Sequence, residues 1–187
     1  MKILKTLFAL ILFGVMSVSL LAQNPYMVKD IYSGASDGWS QYSCGMNGIC
    51  YFSAIDGTDG WRVLWRSDGT ESGTWKVKNV YSSGFTTINN MLYFSGNEGS
   101  NGQEPWKSDG SANGTVMIKN IASGKNKSSN PGSFIYSGNT IFLNVIGDIS
   151  NIDFQLWKTN GTSAGTILVK DINKTGNDRA SFFHDVN

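Results

Sequence analysis

Asp68, Asp109 and Asn160 occupy one recurring setting, each followed by a glycine: Gly69, Gly110 and Gly161. A carboxylate at a fixed repeat position could bind a cation or move a proton. The third copy carries Asn, which keeps a hydrogen-bonding oxygen and drops the charge. The pattern therefore points to a structural turn. Asp and Asn side chains bond to nearby backbone amides, and Gly accepts positive φ without a Cβ clash. A second oxygen-rich stretch is Asp56-Gly57-Thr58-Asp59-Gly60. Carboxylates among glycines suit Ca2+, and Asp56 and Asp59 are the candidate ligands, although their spacing falls short of an EF-hand loop. Read as a polar turn, the stretch needs no ion. Its counterparts are Asn97-Glu98-Gly99-Ser100-Asn101-Gly102 and a longer version holding Asp148 and Asp153.

No other constellation points to catalysis. His184 is the only histidine and lies at the end of the sequence, which removes most Ser-His-Asp and Cys-His schemes. One His and two Cys do not make a zinc site. A glycosidase needs two carboxylates flanking one bond, and the scattered acids single out no such pair. No catalytic residue, resident metal or other cofactor is therefore expected.

Cys44 and Cys50 bracket Gly45-Met46-Asn47-Gly48-Ile49. If Asn47-Gly48 is a two-residue turn, Gly45 faces Cys50 and Cys44 falls on the other side of the ribbon. If the loop is Met46-Asn47-Gly48 with a bulge at Gly48, Cys44 lies opposite Cys50 and a disulfide becomes feasible. Internal alignment of Cys50 with Leu92 and Phe142 favours burial of two small apolar residues instead.

The elements that position these residues are repeats. Leu64-Trp65-Arg66-Ser67-Asp68-Gly69-Thr70 continues through Gly73-Thr74 into Lys76-Val77-Lys78-Asn79-Val80. Pro105-Trp106-Lys107-Ser108-Asp109-Gly110 and Leu156-Trp157-Lys158-Thr159-Asn160-Gly161 open two further copies, and Val28-Lys29-Asp30-Ile31 is a cut-down fourth. Each reads as a β-hairpin: a Trp strand, a turn, and an alternating strand that Gly-Thr opens. Trp65, Trp106 and Trp157 recur at steps of 41 and 51 residues. A period near 40–50 with several short strands marks a propeller blade or related β-array. The three Trp are expected to fill the spaces between blades, with ligand stacking as the alternative. Lys78, Lys119 and Lys170 would be solvated strand ends or members of local ion pairs, or else a cationic ring for anionic glycans.

These residues resemble the ELWxxDGT repeat of large secreted proteins from Bacteroidetes and other bacteria. The resemblance covers nearly all the chain after the leader. It implies a β-propeller-like fold and no defined activity. Pro105 departs from the Leu of the other copies, and since proline cannot donate to a ladder, local irregularity is expected there.

The first 22 residues read as a secretory signal peptide, with Lys2 and Lys5 ahead of the apolar run Leu7–Leu21 and a cut after Ala22. The chain is therefore expected to be secreted or at the cell surface, with no membrane span once the leader is removed. Cleavage removes two of the 15 basic residues and none of the 14 acidic ones, leaving a charge near −1. Such a chain has no electrostatic reason to seek nucleic acid.

The expected fold is all-β: a propeller-like array of about three four-stranded blades plus partial terminal strands, preceded by a signal-peptide helix. Residues 23–187 form this domain, with blades at about 40–80, 83–121 and 133–172. The expected function is non-catalytic: surface binding, adhesion or scaffolding, toward carbohydrate or a surface protein, with self-association through open blade edges. The alternatives are a fragment of a glycan-active propeller enzyme and a structural spacer in a larger surface protein.

Overall fold

A computed structural model describes residues 25–33, 37–58, 60–124, 127–146 and 154–171. The leader, Asp59, Asp148, Asp153, His184 and the partial blade after Ile172 lie outside the described residues. Within them the chain is all-β. Strands β1 (Gln41–Met46), β2 (Ile49–Ala54), β3 (Val63–Ser67), β4 (Trp75–Ile88), β5 (Met91–Asn97), β6 (Glu104–Ser108) and β7 (Val116–Met117) form one antiparallel sheet in chain order. Strands β8 (Phe134–Ser137), β9 (Thr140–Ile146), β10 (Phe154–Thr159) and β11 (Ile167–Asp171) form a second. Each repeat is a four-stranded meander. Among the described residues the array does not close on itself, which narrows the propeller expectation to a run of antiparallel meanders.

The first hairpin of each repeat turns on two residues with positive φ: Asn47 and Gly48 (53° and 75°), Asn89 and Asn90 (50° and 58°), Gly138 and Asn139 (53° and 63°). Positive φ at both positions gives the twist that matches flanking strands, and Asn and Gly tolerate it best. The expected break between the first two blades is absent. β4 runs 14 residues, serving as the last strand of repeat one and the first of repeat two. A register shift between Ser83 and Thr86, at Gly84 with φ 66°, bends it instead.

The two-residue turn decides the cysteine question. Cys44 lies opposite Tyr51 and Gly45 opposite Cys50, and both thiols are free. Cys44 Sγ lies 3.3 Å from Thr87 Oγ1. Cross-strand register also corrects the internal alignment. Cys50, Leu92 and Ile141 are the equivalent residues, facing Ser67, Ser108 and Thr159. Leu92 and Ile141 are buried, whereas Cys50 is exposed. The reason is position in the array. β5 belongs to the middle repeat and is covered on both faces, so Leu92, Tyr93 and Phe94 are all buried. β2 belongs to the first repeat and, among the described residues, has a neighbouring repeat on one side only.

Pro105 stays paired with Ser95 of β5, and the irregularity on its other side also occurs beside Leu64 and Leu156. β6 pairs with β7 only at Trp106–Met117 and Lys107–Val116, and the Pro105 carbonyl then accepts the Ile118 amide at 2.8 Å.

Two buried clusters sit at the seams between repeats, and a third, Ala54, Val63 and Trp65 with Ile31 against it, lies in repeat one. Met46, Tyr51, Leu64, Val77 and Val80 of repeat one pack with Leu92, Phe94 and Trp106 of repeat two. Tyr93 and Ile118 of repeat two pack with Phe134, Ile141, Leu143 and Val145 of repeat three. Each fully buried large side chain contributes about 1.5–3 kcal/mol by leaving water.

Candidate binding face and the repeat seams

The recurring turn is a closed hydrogen-bond circuit, made three times. Thr70, Ser111 and Thr162 each donate backbone N–H and side-chain O–H to Oδ1 of Asp68, Asp109 and Asn160, at 2.7–3.0 Å overall. Their hydroxyls accept the amides of Gly73, Gly114 and Gly165. Thr74, Thr115 and Thr166 donate their hydroxyls to the carbonyls of Thr70, Ser111 and Thr162. That commits their proton, so Ser67, Ser108 and Thr159 must be the donors in the 2.7 Å hydroxyl pairs with these threonines. The same Ser67, Ser108 and Thr159 oxygens accept the amides of Gly69, Gly110 and Gly161 at 3.0 Å. The second glycine is a steric requirement. A Cβ on Gly73, Gly114 or Gly165 would lie 1.9–2.0 Å from Oδ1 of Asp68, Asp109 or Asn160.

This circuit assigns Asp68 and Asp109 to the turn. The Thr70 and Ser111 hydroxyls, with the amides behind them, hold both carboxyls below the usual carboxylate value. A proton donor needs the opposite shift. Asn160 fills the same place with no charge to offer.

The recurring lysines join one repeat to the next, a role beyond the sequence-based readings, although Lys78 also makes an ion pair with Glu98 at 3.5 Å. Lys29 Nζ donates to the Thr74 carbonyl at 2.9 Å, Lys78 to Thr115 at 3.0 Å, and Lys119 to Thr166 at 2.7 Å. Lys78 also lies 5.4 Å from the Trp106 ring centroid and Lys119 5.8 Å from that of Trp157. The Lys78 and Lys119 ammonium groups thus reach the turn and Trp of the following repeat. A cationic ring open to glycans is not what Lys78 and Lys119 form. Trp65 and Trp106 are buried and Trp157 is half-buried, so these indoles fill the array and do not present stacking faces. Tyr51 and Tyr93 complete the seams by covering Gly110 and Gly161 of the next turn.

Exposed indoles are instead found on and beside repeat one. Trp39 is 61 % and Trp61 59 % exposed, and Trp75 stands where Val116 and Ile167 stand in the other copies. Arg62 lies 5.5 Å from the Trp39 ring and donates to the Trp39 carbonyl at 3.3 Å; Arg66 lies 5.0 Å from the Trp75 ring. Trp61 lines a small cavity of ≈ 170 Å³ with Tyr81, Asn97, Gly99 and Gln103. Exposed indoles beside guanidinium and amide groups can stack on apolar faces of a ligand and hydrogen-bond to its hydroxyls.

Asp56 is engaged within the protein. It pairs with Lys76 at 2.7 Å and accepts the Thr58 amide and hydroxyl at 3.0 and 2.6 Å. Burial raises its pKa, but the Lys76 and Thr58 contacts outweigh that and bring it from 3.8 to about 2. A cation there would compete with Lys76. Among the described residues no three His, Cys, Asp or Glu side chains cluster as metal ligands. Because the folded-state pKa is depressed, the pair's stabilisation is present above the ordinary value of 3.8 and is lost as pH falls through about 2. Since Lys76 is partly exposed, about 1 kcal/mol is expected. Urea unfolding at pH 5 and pH 2 will show this loss in the wild-type chain and a smaller one in Asp56→Asn.

Sequence reasoning also missed Glu104. It is fully buried in β6 and accepts four hydrogen bonds from Ile121, Ala122 and Ser129. Its only sequence signal was a carboxylate beside Pro105 and Trp106 in a strand otherwise destined for the core. No protein-family model and no curated protein matches the chain.

Proposed function

We propose that this chain is an exported, non-catalytic repeat protein of the ELWxxDGT type that binds at a surface, with carbohydrate as the ligand class. Its meanders are read as blades of a propeller-like array. The observation that carries this reading is the division of labour among polar and aromatic residues. The recurring Asp, Thr, Lys and Trp build turns and seams. The exposed indoles Trp39, Trp61 and Trp75 take part in neither, and Trp39 and Trp75 have arginines over their rings. Stacking platforms on a rigid repeat scaffold suit binding without turnover.

Glycan-array binding alongside a hydrolysis screen tests the proposal. Binding without turnover is expected, weakened about tenfold or more by Trp61→Ala. Turnover abolished by a single carboxylate substitution would overturn it.

A further inference from the structure

The tetrapeptide Val-Lys-Asp-Ile occurs twice, at Val28–Ile31 and Val169–Ile172. The first copy belongs to no strand, yet its Lys29 reaches the Thr74 carbonyl of repeat one at 2.9 Å. Val169–Asp171 of the second copy lie on β11, the outer strand of the second sheet, with Lys170 exposed and Val169 45 % exposed. At the two internal seams the equivalent apolar residues, Val77 and Ile118, are both 4 % exposed, and the lysines beside them bond to the next repeat. Repeat three therefore presents, on β11, the same apolar-lysine pair that joins repeat one to two and two to three.

Repeat one shows the complementary vacancy. A Cβ on Gly110 would meet the Tyr51 hydroxyl at 2.1 Å, and one on Gly161 would meet that of Tyr93 at 3.2 Å. A Cβ on Gly69 would meet no atom of the described residues within 4 Å beyond its chain neighbours. A cavity of ≈ 520 Å³ opens beside Lys29 and Thr74, between the Val28–Ile31 segment and the strands β1 and β2. The socket of repeat one is thus part-filled by a short mimic that lacks a ladder.

We propose that two copies of this chain dock head to tail, repeat three of one seating on repeat one of the other. Lys170 of each copy replaces Lys29 at the Thr74 carbonyl of the other, and Val169 is buried beside it. The contact continues the seam already made twice within the chain. The number two rests on the propeller reading: six repeats fall within the four to eight blades that close a ring, whereas nine do not. The seam itself does not depend on that reading.

The displaced Val28–Ile31 segment competes as an intramolecular ligand, at an effective concentration of about millimolar. Two chemically similar substitutions should therefore act in opposite directions. Lys29→Ala empties the socket and should tighten association about tenfold or more. Lys170→Ala removes the incoming donor and should weaken it about tenfold or more. Light scattering and sedimentation of the exported chain across a concentration series read both effects. Circular dichroism checks that each variant folds, and Val169→Asp gives a second way to block the seam. A dimer strengthened by Lys29→Ala and lost with Lys170→Ala or Val169→Asp is the expected result. A chain that stays monomeric in the Lys29→Ala form, or a dimer indifferent to both Lys170→Ala and Val169→Asp, overturns the proposal. Lengthening assemblies that Lys170→Ala dissolves would overturn ring closure, and with it the propeller reading, while leaving the seam in place.

Discussion

Glu104→Ala is expected to lower the unfolding free energy by about 3–5 kcal/mol. The carboxyl group is fully buried, and its two oxygens gather the chain on its way from the first sheet to the second. Oε2 accepts the Ile121 amide at 2.8 Å and the Ser129 hydroxyl at 2.7 Å; Oε1 accepts the Ala122 and Ser129 amides at 3.2 and 3.3 Å. Alanine would leave these donors in a site with no replacement acceptor and open a cavity besides. Glu104→Gln keeps one acceptor oxygen but turns an NH2 toward the remaining donors, so its cost should be smaller. Burial raises the Glu104 pKa; the Ser129, Ile121 and Ala122 bonds pull it back, and the net value stays above the ordinary 4.5. The neutral form is thus relatively favoured in the folded chain. This contribution is fully present below the unfolded-state pKa and fades as pH rises through the folded one, opposite in sign to that of Asp56. Denaturant midpoints for wild type, Glu104→Gln and Glu104→Ala measure both effects. An alanine variant within 1 kcal/mol of wild type would contradict the assigned role.

Trp106→Ala should cost a similar amount, about 3–5 kcal/mol, because the indole fills the seam between repeats one and two. It is 4 % exposed, sits 6.3 Å from Phe94 between ring centroids and carries Lys78 over its face. Gly96 lies flat against it; a Cβ there would come within 2.7 Å of the ring. The indole N–H has no hydrogen-bond partner among the described residues. Trp106→Phe therefore loses volume without orphaning a polar group, and about 1–2 kcal/mol is expected. Thermal unfolding of the pair separates the two cases. Equal losses for Phe and Ala would mean that the indole N–H makes a stabilising hydrogen bond.

The hairpin turns were legible in the sequence because their chemistry is local. Asp68, Gly69, Thr70, Gly73 and Thr74 complete a circuit within eight residues, and the Asn160 substitution showed that charge was dispensable. Four strands per repeat were legible for the same reason, through turn residues and alternation. Roles that depend on partners far along the chain were not. Lys78 finds its acceptor 37 residues away and Lys119 finds one 47 away, so each lysine taken alone looked like a solvated strand end. Glu104 reaches donors 17 to 25 residues away, and nothing in its own strand announces them. The continuity of β4 was concealed by Gly84, which resembles a linker residue but serves a bulge. Cys50 was misjudged because burial at its position depends on a flanking repeat, and among the described residues repeat one has such a neighbour on one side only.

The central claim is that each repeat is held to the next by a lysine reaching the carbonyl of the following turn. Native-state hydrogen exchange on Lys119→Met tests it most directly. Methionine keeps the length of the side chain and its packing near Trp157 but removes the donor. If the claim holds, amides of β8, β9 and β10 will exchange about tenfold faster or more, while β2 and β3 keep their protection. Protection lost evenly across both sheets, or unchanged everywhere, would contradict it.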